Sequence, residues 1–264
     1  MKALVTGAAS GIGGAAVRYF AERGYEVYAV DVREAKTHDG AVSFTADVTD
    51  YESLAAISRL LGERGVTLDV IVSVAGIHAM SSLVEEKFEG LKRVIDVNLL
   101  GAMATVRAFH PRLSERGRVV IVTSEVATYD PMPFNGLYNV SKTALDSYAQ
   151  ALRQELNLLG QTVVTVRPGA VATPLAASSA TATEHLAAGT ELYKRQAKHF
   201  SRLVAKFTGK PMPPERVAAL IYKASTVSRP RLDYSVNRHP GLVALSLLPR
   251  RLQCAVIRWL LNRS

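Results

Sequence analysis

The sequence predicts an α/β fold built on a parallel sheet, and three observations carry that prediction. Apolar strand-length runs alternate with amphipathic helix-length segments from residue 2 to residue 166, the pattern of successive right-handed βαβ units. Two of the runs, 70–74 and 118–123, are dominated by consecutive Val and Ile, as expected of strands covered on both faces. Glycines cluster at Gly7, Gly11 and Gly13, between the first strand and the first helix.

The elements follow in order. Residues 2–6 form a short apolar strand and 11–23 a helix, with Gly24 at its C-cap position. Residues 25–30 are a second strand, and 42–46 a third after a short polar link. Asp50 is placed to cap a helix over 51–64. The strand at 70–74 comes next. Residues 83–113 read as mostly helical, 118–123 as a strand, 138–159 as a long helix and 162–166 as a strand. Pro168 and Gly169 end the regularity. Residues 170–214 are rich in Ala, Ser, Thr and Lys, with a helical stretch near 184–207, and 216–226 form a later helix. Residues 242–261 are apolar but broken by Pro249, Arg250 and Arg251, so they do not make a membrane span. With Trp259 and its flanking arginines this segment can lie on a membrane, giving a peripheral contact; alternatively it packs on its own domain or on a partner subunit. No linker or repeat divides the chain. Residues 1–264 therefore read as one domain, with a substrate lid over about 170–214 and a basic apolar tail over about 240–264.

Composition narrows the function classes. A hydrophobic content of 48% supports a sizeable core, and a single cysteine, Cys254, rules out an internal disulfide and points to a reducing, cytoplasmic compartment. The six histidines show no metal-ligand spacing, so no metal is expected. Residues 1–6 already read as a strand, and Gly7 interrupts them too early for a signal peptide. The net charge of +9 is uneven: residues 194–264 hold 15 Lys/Arg and 2 Asp/Glu, whereas 1–193 hold 17 and 21. That asymmetry suits an anionic membrane surface, an acidic substrate or simply a solvated basic face. Nucleic acid is not expected, because no binding motif is present and few aromatics interleave with the charges.

Two motifs carry chemistry. Residues 6–13 read T-G-A-A-S-G-I-G, and 138–142 read Y-N-V-S-K. A glycine turn opening a helix lets backbone N–H groups approach a pyrophosphate, which the helix N-terminus also attracts. The spacing is G-x-x-x-G-x-G rather than G-x-G-x-x-G, and a plain strand–helix connection is the alternative. Asp31, ending the second strand about 20 residues later, can accept both ribose hydroxyls of an adenosine and repel a 2′-phosphate, favouring NAD over NADP. Arg33 lies nearby and opposes that preference. Asp47 and Val48 end the third strand, where Asp47 can meet an adenine amine or cap a helix. Tyr138 and Lys142 share one face of a helix. A phenol with an ordinary pKa of about 10 is a poor base, and an adjacent ammonium is expected to lower it. Ser124, just past the 118–123 strand, is placed to hydrogen-bond a substrate oxygen. Asn98, in an apolar helical run, can also be a core amide satisfied by backbone.

Together these pieces resemble the short-chain dehydrogenase/reductase family. The matching residues are the glycine turn, Asp31, Asp47–Val48, Ala75–Gly76, Asn98, Ser124, Tyr138-x-x-x-Lys142 and Pro168–Gly169 followed by Thr173-Pro174-Leu175, in the family's order. The resemblance implies a doubly wound, seven-stranded, Rossmann-like parallel sheet, here with a basic helical C-terminal extension. It implies Tyr138 as general acid/base, Lys142 as pKa modulator and nicotinamide-ribose contact, Ser124 as polariser of the substrate oxygen, and Asn98 as holder of a relay water. It implies cofactor contacts at Gly7, Ser10, Gly11, Ile12, Gly13, Asp31, Asp47, Val48, Ala75, Gly76, Tyr138, Lys142, Pro168, Gly169, Val171 and Thr173. The cofactor expected is NAD, and the assembly a homodimer or homotetramer. One departure stands out: where the family often has N-N-A-G, this chain has Ser73-Val74-Ala75-Gly76, which removes an asparagine that contacts adenosine or braces the sheet.

Met132, Pro133 and Phe134, together with Leu186, Leu192, Tyr193, Phe200, Leu203, Val204 and Phe207, are expected to give an apolar pocket and lid; ordinary core or a subunit contact is the alternative. The apolar-basic tail resembles hydroxysteroid and retinol dehydrogenase branches. The expected substrate is therefore a hydrophobic alcohol or ketone of steroid, bile-acid or retinoid type. A catalytically silent NAD-binding regulator and a membrane-associated binding protein are the competing readings.

Overall fold

The structure, a computed structural model, describes residues 1–35, 40–207 and 211–263, except for the side chains of 177–181 and 205–207. Seven strands form one parallel sheet: β1 (Lys2–Thr6), β2 (Glu26–Asp31), β3 (Ala41–Thr45), β4 (Leu68–Ser73), β5 (Leu113–Val122), β6 (Thr162–Pro168) and β7 (Asp233–Val236). Their spatial order is β3-β2-β1-β4-β5-β6-β7. The chain winds outward from β1 to β3, then returns to lay β4 on the other side of β1. The C-terminal ends of β1 and β4 thus border the switch point where an open parallel sheet leaves a crevice.

Alternate residues of each strand enter different cores, which explains the unbroken Val/Ile runs. On one face Ala3, Val5, Val70, Val72, Val120 and Val122 pack beneath α1 (Gly11–Ala21) and α8 (Pro214–Thr226). On the other face Leu4, Ile71, Val119 and Ile121 pack beneath α2 (Tyr51–Glu63), α4 (Gly101–Phe109) and α5 (Gly136–Asn157). Asp50 caps α2 as expected, its carboxylate accepting the Ser53 N–H at 3.2 Å.

Three regions differ from the sequence reading. The stretch expected to be helical from residue 83 begins only at α3 (Phe88–Ile95), then widens into a π turn over Asp96–Leu100 before α4. The helical stretch near 184–207 is two helices, α6 (Pro174–Gly189) and α7 (Lys194–Phe207). They part where Glu85 accepts the Thr190 hydroxyl at 2.6 Å and the Glu191 and Leu192 N–H groups at 2.8 and 3.0 Å. β7 has no strong apolar signal. Tyr234 is buried in the first core, and charge helps to fix the strand: Arg167 lies 3.1 Å from Asp233 and grips Asp146 through two bonds of 2.8 and 2.7 Å. The link between β2 and β3 includes residues 36–39, outside the described residues.

The tail folds into α9 (Pro240–Ser246) and α10 (Arg250–Asn262). It packs on its own domain, the second of the alternatives above. Arg195 and Gln196 of α7 donate to Asn262 at 2.7 and 2.8 Å, and His199 donates to the Leu261 carbonyl at 2.9 Å. Phe134, Leu186, Ala197, Phe200 and Leu261 form a third, smaller core between lid and tail. Among the described residues no helix is long and apolar enough to cross a membrane.

Candidate active site

The turn from β1 into α1 lies at the switch point. Gly13 packs so closely that a Cβ there would sit 2.0 Å from the Gly7 carbonyl oxygen, so helix and strand approach at a distance only glycine permits. The first turn of α1 carries no acidic residue, and its N-cap, Ser10, makes no side-chain cap bond. The positive end of the helix is therefore left for an anion. Asp31 ends β2 and fastens this turn, its carboxylate accepting the N–H groups of Ala9 and Arg33, each at 3.0 Å. Arg33 folds back over the same spot, donating to Ser10 Oγ at 2.9 Å and lying 3.7 Å from Asp31. The Thr6 hydroxyl accepts the Val74 N–H at 3.3 Å, tying β1 to the loop after β4. Asp47 accepts the Thr49 N–H at 2.9 Å and hydroxyl at 2.8 Å, so it closes a local turn rather than capping α2.

Across the crevice, α5 brings Tyr138 and Lys142 together one turn apart, both buried. The Lys142 Nζ lies 5.9 Å from the centre of the Tyr138 ring and donates to the Val122 carbonyl at 3.4 Å. Burial pushes the Tyr138 phenol up to about 12, opposed in part by its hydrogen bond with Ser124. Burial also pulls the Lys142 amine down to about 8. The sequence argument expected a lowered tyrosine. Here desolvation dominates, because removal from water disfavours phenolate and ammonium alike. Ser124 follows β5 and caps a short 3₁₀ turn, Glu125–Thr128, accepting the Val126 N–H at 3.4 Å.

Asn98 sits in the π turn and is fully buried. Its Oδ1 accepts the Ile77 N–H at 2.7 Å, and its Nδ2 donates to the Ile77 carbonyl at 2.9 Å and to Ser141 Oγ at 3.0 Å. It thus ties the loop after β4 to α5. Gly76 lies between the two groups: a Cβ there would stand 3.1 Å from Asn98 Oδ1 and 3.3 Å from Lys142 Nζ.

Every site residue expected from the sequence borders one cavity of about 1410 Å³, apart from Asn98, which stands behind its wall. Gly7, Ser10, Gly11, Ile12, Gly13, Asp31, Asp47 and Val48 line one end; Ala75, Gly76, Ser124, Tyr138 and Lys142 line the middle, with Pro168, Gly169, Val171 and Thr173 beside them. Thr173 also caps α6, accepting the Ala176 N–H at 3.2 Å. Met132, Phe200, Leu203 and Val204 line the far end as expected. Phe134, Leu186 and Tyr193 belong instead to the third core, and Leu192 is exposed. The Phe207 side chain lies outside the described residues.

Sequence reasoning missed three contributors. His78 lines the cavity with its ring 4.4 Å from that of Tyr138, and its Nε2 pairs with Asn135 Oδ1 at 3.0 Å. Burial, aided by the Lys142 charge, holds this imidazole below its ordinary value. Glu125, next to Ser124, is buried, and its carboxylate accepts the His239 N–H at 2.7 Å and the Tyr129 hydroxyl at 3.4 Å. The tail supplies Leu242, Leu245, Leu248, Ile257 and Leu260 to the cavity wall. The apolar pattern of 242–261 was the available signal, but it did not say which surface the segment covers.

The sequence matches the short chain dehydrogenase family over residues 1–184, so the chain belongs to the short-chain dehydrogenase/reductase family. It is 32% identical over 239 residues to a probable oxidoreductase, EphD, of Mycobacterium tuberculosis, covering 86% of this chain and 39% of that protein. The chain thus spans well under half the length of that relative. It is 33% identical over 177 residues to the 1-hydroxy-2-glutathionyl-2-methyl-3-butene dehydrogenase of a Rhodococcus species, covering 65% of this chain and 78% of that one. Its fold matches the crystal structure of a short chain dehydrogenase from Burkholderia cenocepacia in complex with NADP, with a TM-score of 0.74, 19% identity, and coverage of 97% of this chain and 96% of that one.

Proposed function

We propose that this chain is an NAD-dependent oxidoreductase that interconverts a secondary alcohol and a ketone on a bulky hydrophobic substrate. One observation carries the reading: a single cavity joins the glycine turn and Asp31 at one end to Ser124, Tyr138 and Lys142 in the middle and an apolar chamber at the other. The uncompensated N-terminus of α1 and the glycine-only contact beneath it fit a dinucleotide pyrophosphate. The cofactor supplies the hydride acceptor or donor. The protein supplies the rest.

Tyr138 takes the hydroxyl proton on oxidation and returns it on reduction, while the Ser124 hydroxyl bonds the same substrate oxygen. Acid–base help of this kind contributes about 10²–10⁴-fold. Lys142 reaches a cofactor ribose and, when charged, favours the phenolate. Asn98 acts from behind the wall by holding Ile77 and Ser141, with lone-pair capacity left on Oδ1 for a relay water. Asp31 supports NAD; the Arg33–Ser10 contact is the feature that admits NADP. The apolar chamber supports a steroid, bile-acid or retinoid-like substrate. The chain reads as one catalytic domain over 1–264. Leu100, Met103 and Val140 stand exposed on the central helices and support a homodimer or homotetramer.

The test is a dehydrogenase assay with NAD and NADP in parallel across bulky and simple secondary alcohols, repeated with Tyr138→Phe. The expected result is turnover of a bulky class with NAD, lost in the variant while NAD still binds. Near-normal turnover by Tyr138→Phe would sink the assignment.

A further inference from the structure

The helix α10 has two faces of opposite use. Val256, Ile257, Leu260 and Leu261, at helical spacing, turn inward and line the cavity. The opposite stripe, Arg251, Leu252, Ala255, Arg258 and Trp259, is exposed. Leu252 is 47% and Trp259 54% exposed, and Leu247, between α9 and α10, is 80% exposed. The Arg263 guanidinium lies 3.5 Å over the Trp259 ring. Against the C-terminal end of α10 packs α7, whose own outer positions Lys194, Arg195, Lys198 and Arg202 are exposed. No Asp or Glu occurs in α7, α9 or α10, whereas residues 1–193 carry more acidic than basic side chains.

We propose that the outward face of α9 and α10, with the neighbouring cations of α7, docks on an anionic lipid bilayer. An interfacial helix needs an apolar or aromatic stripe to enter the headgroup layer and cations to meet lipid phosphates. This face has both, and the acidic remainder of the chain orients it toward the lipid. A solvated basic helix face would not need Leu247, Leu252 and Trp259 in water. Because the inner stripe of the same helix is cavity wall, docking sets the apolar chamber one helix thickness from the bilayer. That consequence for substrate entry rests on the hydrophobic-substrate reading above; the docking itself does not.

Cys254 is the chain's sole cysteine and is exposed on α10, so a polarity-sensitive dye attached there reports this helix alone. The labelled full chain is mixed with phosphatidylcholine vesicles with and without phosphatidylserine. The expected result is a blue shift on the phosphatidylserine vesicles only, reversed by high salt. Arg251→Gln/Arg258→Gln is expected to weaken partitioning about 25-fold, at about fivefold per charge. NAD binding, measured separately, is expected to be unchanged, since neither arginine borders the cavity. Absence of a shift, an equal shift on phosphatidylcholine alone, or parental partitioning by the double variant would each overturn the proposal. So would a change in molecular mass of the double variant without vesicles, which would make this face a contact between copies of the chain. A failure to bind or turn over NAD would count against the oxidoreductase reading and leave the docking result standing.

Discussion

Replacing Lys142 by Met removes a buried amine while nearly preserving the length of its side chain. The residue is 4% exposed, and burial lowers its pKa from 10.5 to about 8. Below pH 8 the folded protein holds a desolvated ammonium. Between pH 8 and 10.5 the unfolded chain keeps the proton that the folded chain has given up, so stability rises with pH across that window. The gap of two to three pKa units corresponds to about 3 kcal/mol of strain at pH 7. The one hydrogen bond lost, to the Val122 carbonyl, is long at 3.4 Å and returns little of that. Lys142→Met is therefore expected to be more stable than the parent by up to about 3 kcal/mol at pH 7, with the difference shrinking toward zero above pH 10. Urea unfolding of both proteins at a series of pH values measures it. Turnover is expected to be lost. A difference that does not change with pH, or a Met variant less stable at pH 7, would refute the claim that desolvation dominates this lysine.

Gly13→Ala places a Cβ 2.0 Å from the Gly7 carbonyl oxygen; it is expected to cost about 1–3 kcal/mol of stability as the turn shifts and to abolish NAD binding, checked by denaturation and by fluorescence titration. Asp31→Ser removes the carboxylate opposite Arg33 and is expected to shift the NADP/NAD ratio of kcat/KM by about tenfold or more, equivalent to about 1.4 kcal/mol. An unchanged ratio would mean that Asp31 serves the Ala9 N–H and not the cofactor.

Much of this architecture is legible in the sequence because local rules govern it. The Val/Ile runs of β4 and β5 announce a sheet covered on both faces. Asp50 announces its helix, and the glycine turn and the Tyr138–Lys142 spacing survive intact into the cavity. What stayed hidden depends on long-range packing. β7 is short and carries Asp233 and Ser235 among its four residues; its pairing with β6, the burial of Tyr234 and the distant Arg153 and Arg167 hold it in register. The π turn that places Asn98 has no residue signature. The direction of the Tyr138 shift depends on how completely water is excluded, which spacing does not reveal. The tail's apolar positions were visible, but not that they close over the site.

Glu125 is one of several links between the loop after β5 and the tail, beside the Tyr129 hydroxyl, which accepts from Arg238 at 2.9 Å, and Asp130, which accepts from Arg250 and Gln253, each at 3.1 Å. Glu125 follows Ser124 directly, and its carboxylate accepts the backbone N–H of His239, the residue from which α9 departs. Lifting the tail away from the cavity would break a charge-assisted bond worth about 1.5–3 kcal/mol and free the neighbour of Ser124, the serine proposed above to bond the substrate oxygen. The closed tail and the ordered serine loop are thus thermodynamically linked. By reciprocity, any ligand that orders the Ser124 loop would raise the population of the docked tail by the same factor by which docking raises its affinity.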